Sequence, residues 1–167
     1  MLGFLPAAFS ACIQFINPAV TLVFLAVPFV TISNISLFVG TAEVTGTHAW
    51  VGITDSSLKV LAVSLDNTGS AYFGPNSSAV TTAVTIDGSN PLVTAYEGLY
   101  YVFVCVVASG TMPTFEAIPT LTNAAFPAIA PVLCGSSSTS QTTPVAVGAT
   151  LTALTATIGH QFYAWMT

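Results

Sequence analysis

The sequence predicts an all-β fold, built as an antiparallel sandwich or barrel in a single domain, and three observations carry the prediction. Segments of roughly 5 to 10 residues rich in Val, Thr, Phe and Tyr alternate with clusters of Gly, Asn, Asp, Ser and Pro, the pattern of short strands joined by turns. No stretch shows the apolar spacing of a long helix. The chain has 167 residues, enough for one domain with a real core.

Residues 1–19 form the first element, an extended apolar arm carrying Phe4, Phe9 and Phe15; residues 20–167 form the β domain. Pro6, Ser10 and Gln14 break the arm as a membrane helix, which needs about 18 uninterrupted apolar residues. It also lacks the positively charged start of a signal peptide, so we read it as buried or in contact with a partner. A strand follows over Val20 to Val30, rich in Val, Thr and Phe and containing Pro28. Further strands are predicted at Ile35 to Gly40, His48 to Thr54 and Lys59 to Leu65. The last two make a hairpin, because the Asp55 side chain can bond the backbone ahead of it and reverse the chain through Ser56 and Ser57. Asp66 to Ser70 is a second turn. Ala79 to Ile86 is a strand closed by a third turn, Asp87 to Pro91, in which Gly88 is free to take positive φ.

Gly98 to Val107 is the most hydrophobic run. Leu99, Tyr101, Phe103, Cys105 and Val107 should line one face and Tyr100, Val102, Val104 and Val106 the other. Both faces are apolar, so both need a cover: one a second sheet, the other a loop, a terminal arm or another subunit, of which the intersubunit contact is the favoured reading. Pro113, Pro119, Pro127 and Pro131 mark Ser109 to Pro131 as a surface excursion. Ala130 to Cys134 is a strand, and the serine- and threonine-rich stretch from Gly135 to Thr143 a loop tip or a hydrogen-bonding surface. Thr150 to Ala156 and Gln161 to Met166 close the fold.

Charge narrows the function. Lys59 is the only lysine, there is no arginine, and six acids bring the charged fraction to 4%, against about 25% in an ordinary soluble domain. With 53% hydrophobic residues, the surface suits a subunit of an assembly. One cation and a net charge of −5 exclude a phosphate-binding footprint, so nucleic acid is not a partner. Cys12, Cys105 and Cys134 are too widely spaced for a zinc site, and Cys105 reads as a small core residue.

Catalytic signatures are missing from the sequence: no HExxH, Cys-x-x-Cys, phosphate loop or Gly-x-Ser-x-Gly elbow occurs, and no cofactor or metal is expected. Ser56, His48 and Asp55 form a triad only on paper. Glu43, Glu97 and Glu116 read as solvated acids rather than a glycosidase pair. His48 and Trp50 share a strand face and can stack on a sugar or a neighbouring chain, or cap a core. With Tyr72, Phe73 and the serine-rich loop they make a candidate glycan face, the aromatic rings stacking and neutral groups bonding.

The hairpin His48 to Ser64, the run Gly98 to Val107 with Thr111 to Phe115, and Leu151 to Tyr163 resemble a module of virion structural proteins of tailed actinobacteriophages, the minor tail or tail-fibre-like proteins. The resemblance runs from about Val20 to the C-terminus and omits the arm. It implies a jelly-roll-like building block or adhesion element located in the virion, without enzyme activity. Other copies, with a trimer expected, and other virion proteins would be its partners, and host surface glycan a further one. The arm, through Phe4, Phe9 and Phe15, is the expected docking element. A capsid decoration protein is the alternative within the same class, and a cell-wall-acting enzyme the alternative outside it.

Overall fold

The protein is described from a computed structural model, which covers residues 10–11, 20–26, 29–69, 72–74, 76–96, 98–119, 135–136, 143–151, 155–156, 160–162 and 164–167. Fifteen strands occur among these residues. In chain order they are β1 Ser10–Ala11, β2 Val20–Ala26, β3 Thr31–Ile32, β4 Asn34–Thr41 and β5 Gly46–Asp55. Then come β6 Val60–Val63, β7 Ser78–Ala83, β8 Leu92–Val93, β9 Gly98–Ala108 and β10 Thr114–Phe115. The last five are β11 Ala117–Pro119, β12 Gly135–Ser136, β13 Thr155–Ala156, β14 His160–Phe162 and β15 Ala164–Met166. The described residues contain no helix, so none that is long and apolar enough to cross a membrane.

Every ladder is antiparallel. The larger sheet runs β13-β12-β2-β9-β5-β6, with β1 paired to β2. The second is organised on β4, with β7 along one edge and β10 and β15 along the other. Two small sheets, β11–β14 and β3–β8, complete the set. The central place of β9 follows from its composition: a strand apolar on both faces is stable only where both are covered.

Both faces of β9 are covered, as its alternation predicts. Tyr100, Val102, Val104 and Val106 share one core with Ile35, Leu37 and Val39 of β4, so this core joins the two main sheets. Phe103 and Cys105 share a second core with Trp50, Val60 and Leu151, and Val145 packs against it. Of the covers the sequence allows for this second face, a loop, a terminal arm or another subunit, the subunit is the favoured one. Instead the 143–151 segment of the same chain lies over it, held to the hairpin by Val60 N–H donating to Ala149 O at 2.7 Å and Leu151 N–H to Leu58 O at 2.9 Å.

The predicted turns have their expected chemistry. Asp55 Oδ1 accepts from Ser57 N–H at 2.8 Å and Lys59 N–H at 3.0 Å, and closes the β5–β6 hairpin. Asn67 Oδ1 accepts from Gly69 N–H, and Asp87 Oδ1 from Ser89 and Asn90 N–H around Gly88, whose φ is +86°. The proline-rich excursion differs from expectation. Thr114–Phe115 pairs with β4 and Ala117–Pro119 with β14, with Pro119 at the strand's end, where a missing N–H is tolerated. Gly135–Ser136, expected in a loop, is a strand between β2 and β13. The predicted strand at Ala130 to Cys134 lies outside the described residues.

Candidate functional site

His48 and Trp50 stand two apart on β5, opposite Val107 and Cys105 of β9, and so on one side of the larger sheet. His48 Nδ1 lies 2.7 Å from Asp66 Oδ2, and Asp66 Oδ1 accepts the N–H of Ala49 at 3.2 Å. Ala49 and Asn67 exchange two backbone hydrogen bonds, which fix the carboxylate against the imidazole. The ring remains about a quarter open, at 26%. Trp50 is 0% exposed, enclosed with Val60, Phe103, Cys105 and Leu151. A sugar needs an open indole face, and Trp50 offers none; it caps a core.

An imidazole oriented by a carboxylate can move a proton if a nucleophile stands beside it. Cys105 lies on the same face, but its thiol is buried, and burial first and the Asp66 charge second push it far up and keep it protonated. A protonated, enclosed thiol is a poor nucleophile. Ser56, His48 and Asp55 do not assemble: the carboxylate on His48 is Asp66, and Asp55 is occupied by its own turn. No cluster of three His, Cys, Asp or Glu side chains able to hold a metal occurs among the described residues.

Tyr72 and Phe73 belong elsewhere. Phe73 is fully buried in the core between the main sheets and meets Tyr72 and Phe115 edge-to-face, with ring centroids 4.7 and 4.9 Å apart. Tyr72 is half-buried, and its hydroxyl bonds Thr82 Oγ1. The four residues of the candidate glycan face therefore present no common surface. Trp50 and Phe73, the most apolar of them, are used for packing.

Glu43, read in the sequence as a solvated acid, is 5% exposed. Its Oε1 accepts from Tyr72 N–H at 2.8 Å and Phe73 N–H at 3.5 Å, while its own N–H donates to Phe73 O at 3.1 Å. The carboxylate thus ties the 72–73 turn to the start of β5. Gly46 makes the room, since a Cβ there would stand 2.7 Å from the carboxyl carbon. Oε2 has no partner among the described residues, and burial raises the pKa against the two N–H donors that lower it. Glu116 is exposed, and Glu97 lies outside the described residues.

The sequence reading missed an apolar edge. Phe29 is 81% exposed with φ +63°, a left-handed conformation rare for a bulky side chain. Thr94 holds it there: Phe29 N–H donates to Thr94 O at 2.7 Å, Val30 N–H to Thr94 Oγ1 at 3.0 Å, and Thr94 N–H to Val30 O at 2.9 Å. Val30, Val93 and Tyr96 are exposed alongside, Tyr96 stacked on the buried Tyr100 with centroids 4.7 Å apart. Pro28 was the available signal, because a proline argues against a strand continuing through to Val30.

Phe4, Phe9 and Phe15 of the arm lie outside the described residues, and Ser10–Ala11 adds to the edge of β2 in its own sheet. No family model matches the chain, nor does any curated protein or solved structure, so the likeness to phage tail modules rests on the sequence motifs alone.

Proposed function

We propose that the chain is a non-enzymatic structural module of a tailed-phage virion, a jelly-roll-like two-layer sandwich of the tail, baseplate or fibre that works in several copies. The observation that carries this reading is the apolar edge at Phe29. A left-handed backbone at a non-glycine residue costs about 1–2 kcal/mol. In the isolated chain that cost is met by no burial of the ring, and strained conformations persist where function uses them. Contact with a second copy supplies the burial, and a chain with 4% charged residues presents an equally uncharged partner surface.

Two measurements test it. Phe29→Asn keeps a residue that tolerates positive φ, so the monomer should melt no lower than the parent while sedimentation shows the oligomer lost; an unchanged oligomer would take the edge out of the assembly. Cryo-EM of the particle should place copies at the tail with the Phe29 edge covered. Copies wedged on the capsid lattice would make the protein a decoration clamp, and absence from the particle would overturn the virion reading.

A further inference from the structure

The outward face of the β4 sheet carries a different surface. In β15, Ala164 is buried and Met166 packs on the core, so Trp165 between them is turned outward and is 38% exposed. The register sets Trp165 opposite Ser36, and Ser36 opposite Thr81. The outward residues of β7 are Ala79, Thr81 and Ala83, all exposed and small. Phe38 follows Ser36 on the outward face of β4, paired with Ala79.

Around Trp165 the polar groups are hydroxyls and one amide; the carboxylate of Glu116 lies farther along the same face, 3.3 Å from where a Cβ on Gly40 would stand. Ser36 Oγ and Thr81 Oγ1 are 2.7 Å apart, and Asn34 Nδ2 donates to Thr167 Oγ1 at 3.3 Å. The two hydroxyls can share only one hydrogen between them, so the exposed Thr81 keeps bonding capacity for an outside group. None of these residues around Trp165 has an ionisable side chain. An indole on the solvent side, rimmed by small side chains and neutral hydroxyls, matches a ligand with an apolar C–H face and a belt of uncharged hydroxyls.

We infer that this face is a binding platform for a neutral glycan, with Trp165 as the stacking residue and Thr81 and Asn34 as hydrogen-bonding groups. It is built on β4, β7 and β15, whereas the Phe29 edge belongs to the β3–β8 pair, and it does not depend on the virion reading, since it stands on the chemistry of the sheet face alone. The groups around Trp165 are uncharged, and the acid farther along this face, Glu116 beside Gly40, repels an anion, so a neutral sugar is favoured over an anionic one.

The test is native electrophoresis of the purified chain in gels containing dextran, laminarin, galactomannan or arabinogalactan. The parent should be retarded in at least one of them. Trp165→Ala should weaken that retardation roughly tenfold, the size of a lost stacking contact. Trp165→Tyr should keep part of it, and serves as the informative variant if the alanine form fails to fold. Thr81→Val should weaken binding severalfold with the fold intact. A parent that migrates freely in all four gels, or a folded Trp165→Ala that is retarded like the parent, would overturn the proposal. Neither result bears on whether the chain is found in a particle.

Discussion

Strand β9 separates two interiors that the chain fills by different means. On one side Tyr100, Val102, Val104 and Val106 meet Ile35, Leu37 and Val39, strand against strand. On the other, Phe103, Cys105 and Trp50 are roofed by Val60, Leu151 and Val145, where an irregular segment is laced to the hairpin. The first interior is built mainly of β-branched and aliphatic side chains repeating at the strand period, with the rings of Tyr100, Phe73 and Phe115 set among them. The second holds two large rings, a thiol, and a Trp50 Nε1 that has no hydrogen-bond partner among the described residues. Regular packing needs only the right alternation, whereas the irregular roof needs particular shapes. The two should therefore fail differently: the first by losing volume, the second by gaining it.

The largest effect is expected in the first interior. Leu37 is 1% exposed, and Leu37→Ala should cost about 2–5 kcal/mol by chemical denaturation, through lost burial and the cavity left behind. A cost no larger than that of a surface substitution would mean that the two main sheets do not share this core.

Gly52 probes the second interior. A Cβ at this position would come within 2.4 and 2.5 Å of the Phe103 ring and 2.7 Å of Ala62 O, so the glycine is the space in which the ring lies. Gly52→Ala should cost about 1–3 kcal/mol. Phe103→Leu, which shortens the ring side of the clash, should restore part of that loss, with a coupling of about 0.5–3 kcal/mol in a double-mutant cycle. Additive losses would show that backbone crowding at Ala62 dominates. Leu37→Ala combined with Gly52→Ala should be nearly additive, since the two act on opposite sides of the sheet.

This contrast also marks what could be read from the sequence. The alternation of Leu99 to Val107, the Asp55 turn and the Asp87 turn are local: strand period and a side chain bonding backbone two residues ahead determine them. The roof over Trp50 depends on Val145 and Leu151, some 95 residues downstream of Trp50, and periodicity carries no information about which segment returns to cover a face. His48 and Trp50 were correctly placed on one side, yet exposure could not be assigned from that. Glu43 looked like any loop acid, because its burial requires the distant 72–73 turn together with the space at Gly46. Trp165 fell inside a predicted strand, but an isolated three-residue alternation does not say which parity faces the core.

The rims of the two interiors give smaller effects. At the second, Asp66→Asn keeps an acceptor for Ala49 N–H but loses the charged partner of His48, and should cost about 1 kcal/mol. The same substitution in a His48→Ala background should cost less, and an equal cost would show that Asp66 acts through the backbone of Ala49 alone.

At the first rim the sign is opposite. Burial holds the Glu43 carboxyl above its ordinary pKa, with Oε2 unpaired. The folded state therefore binds a proton more tightly than the unfolded chain. The stability that Glu43 contributes is full below its unfolded pKa and is lost as pH rises through the raised folded value. The ionised form is the costly one, because Oε1 accepts from Tyr72 and Phe73 while Oε2 accepts from nothing among the described residues. Glu43→Gln retains the Oε1 acceptor and removes the charge. The variant should melt above the parent at pH 7, and the two should converge as the pH falls below the ordinary carboxylate range. A variant that melts lower at pH 7 would show that the charge itself strengthens the two N–H contacts by more than its burial costs. Glu43 would then stabilise the first interior as a charged, hydrogen-bonded carboxylate rather than strain its margin.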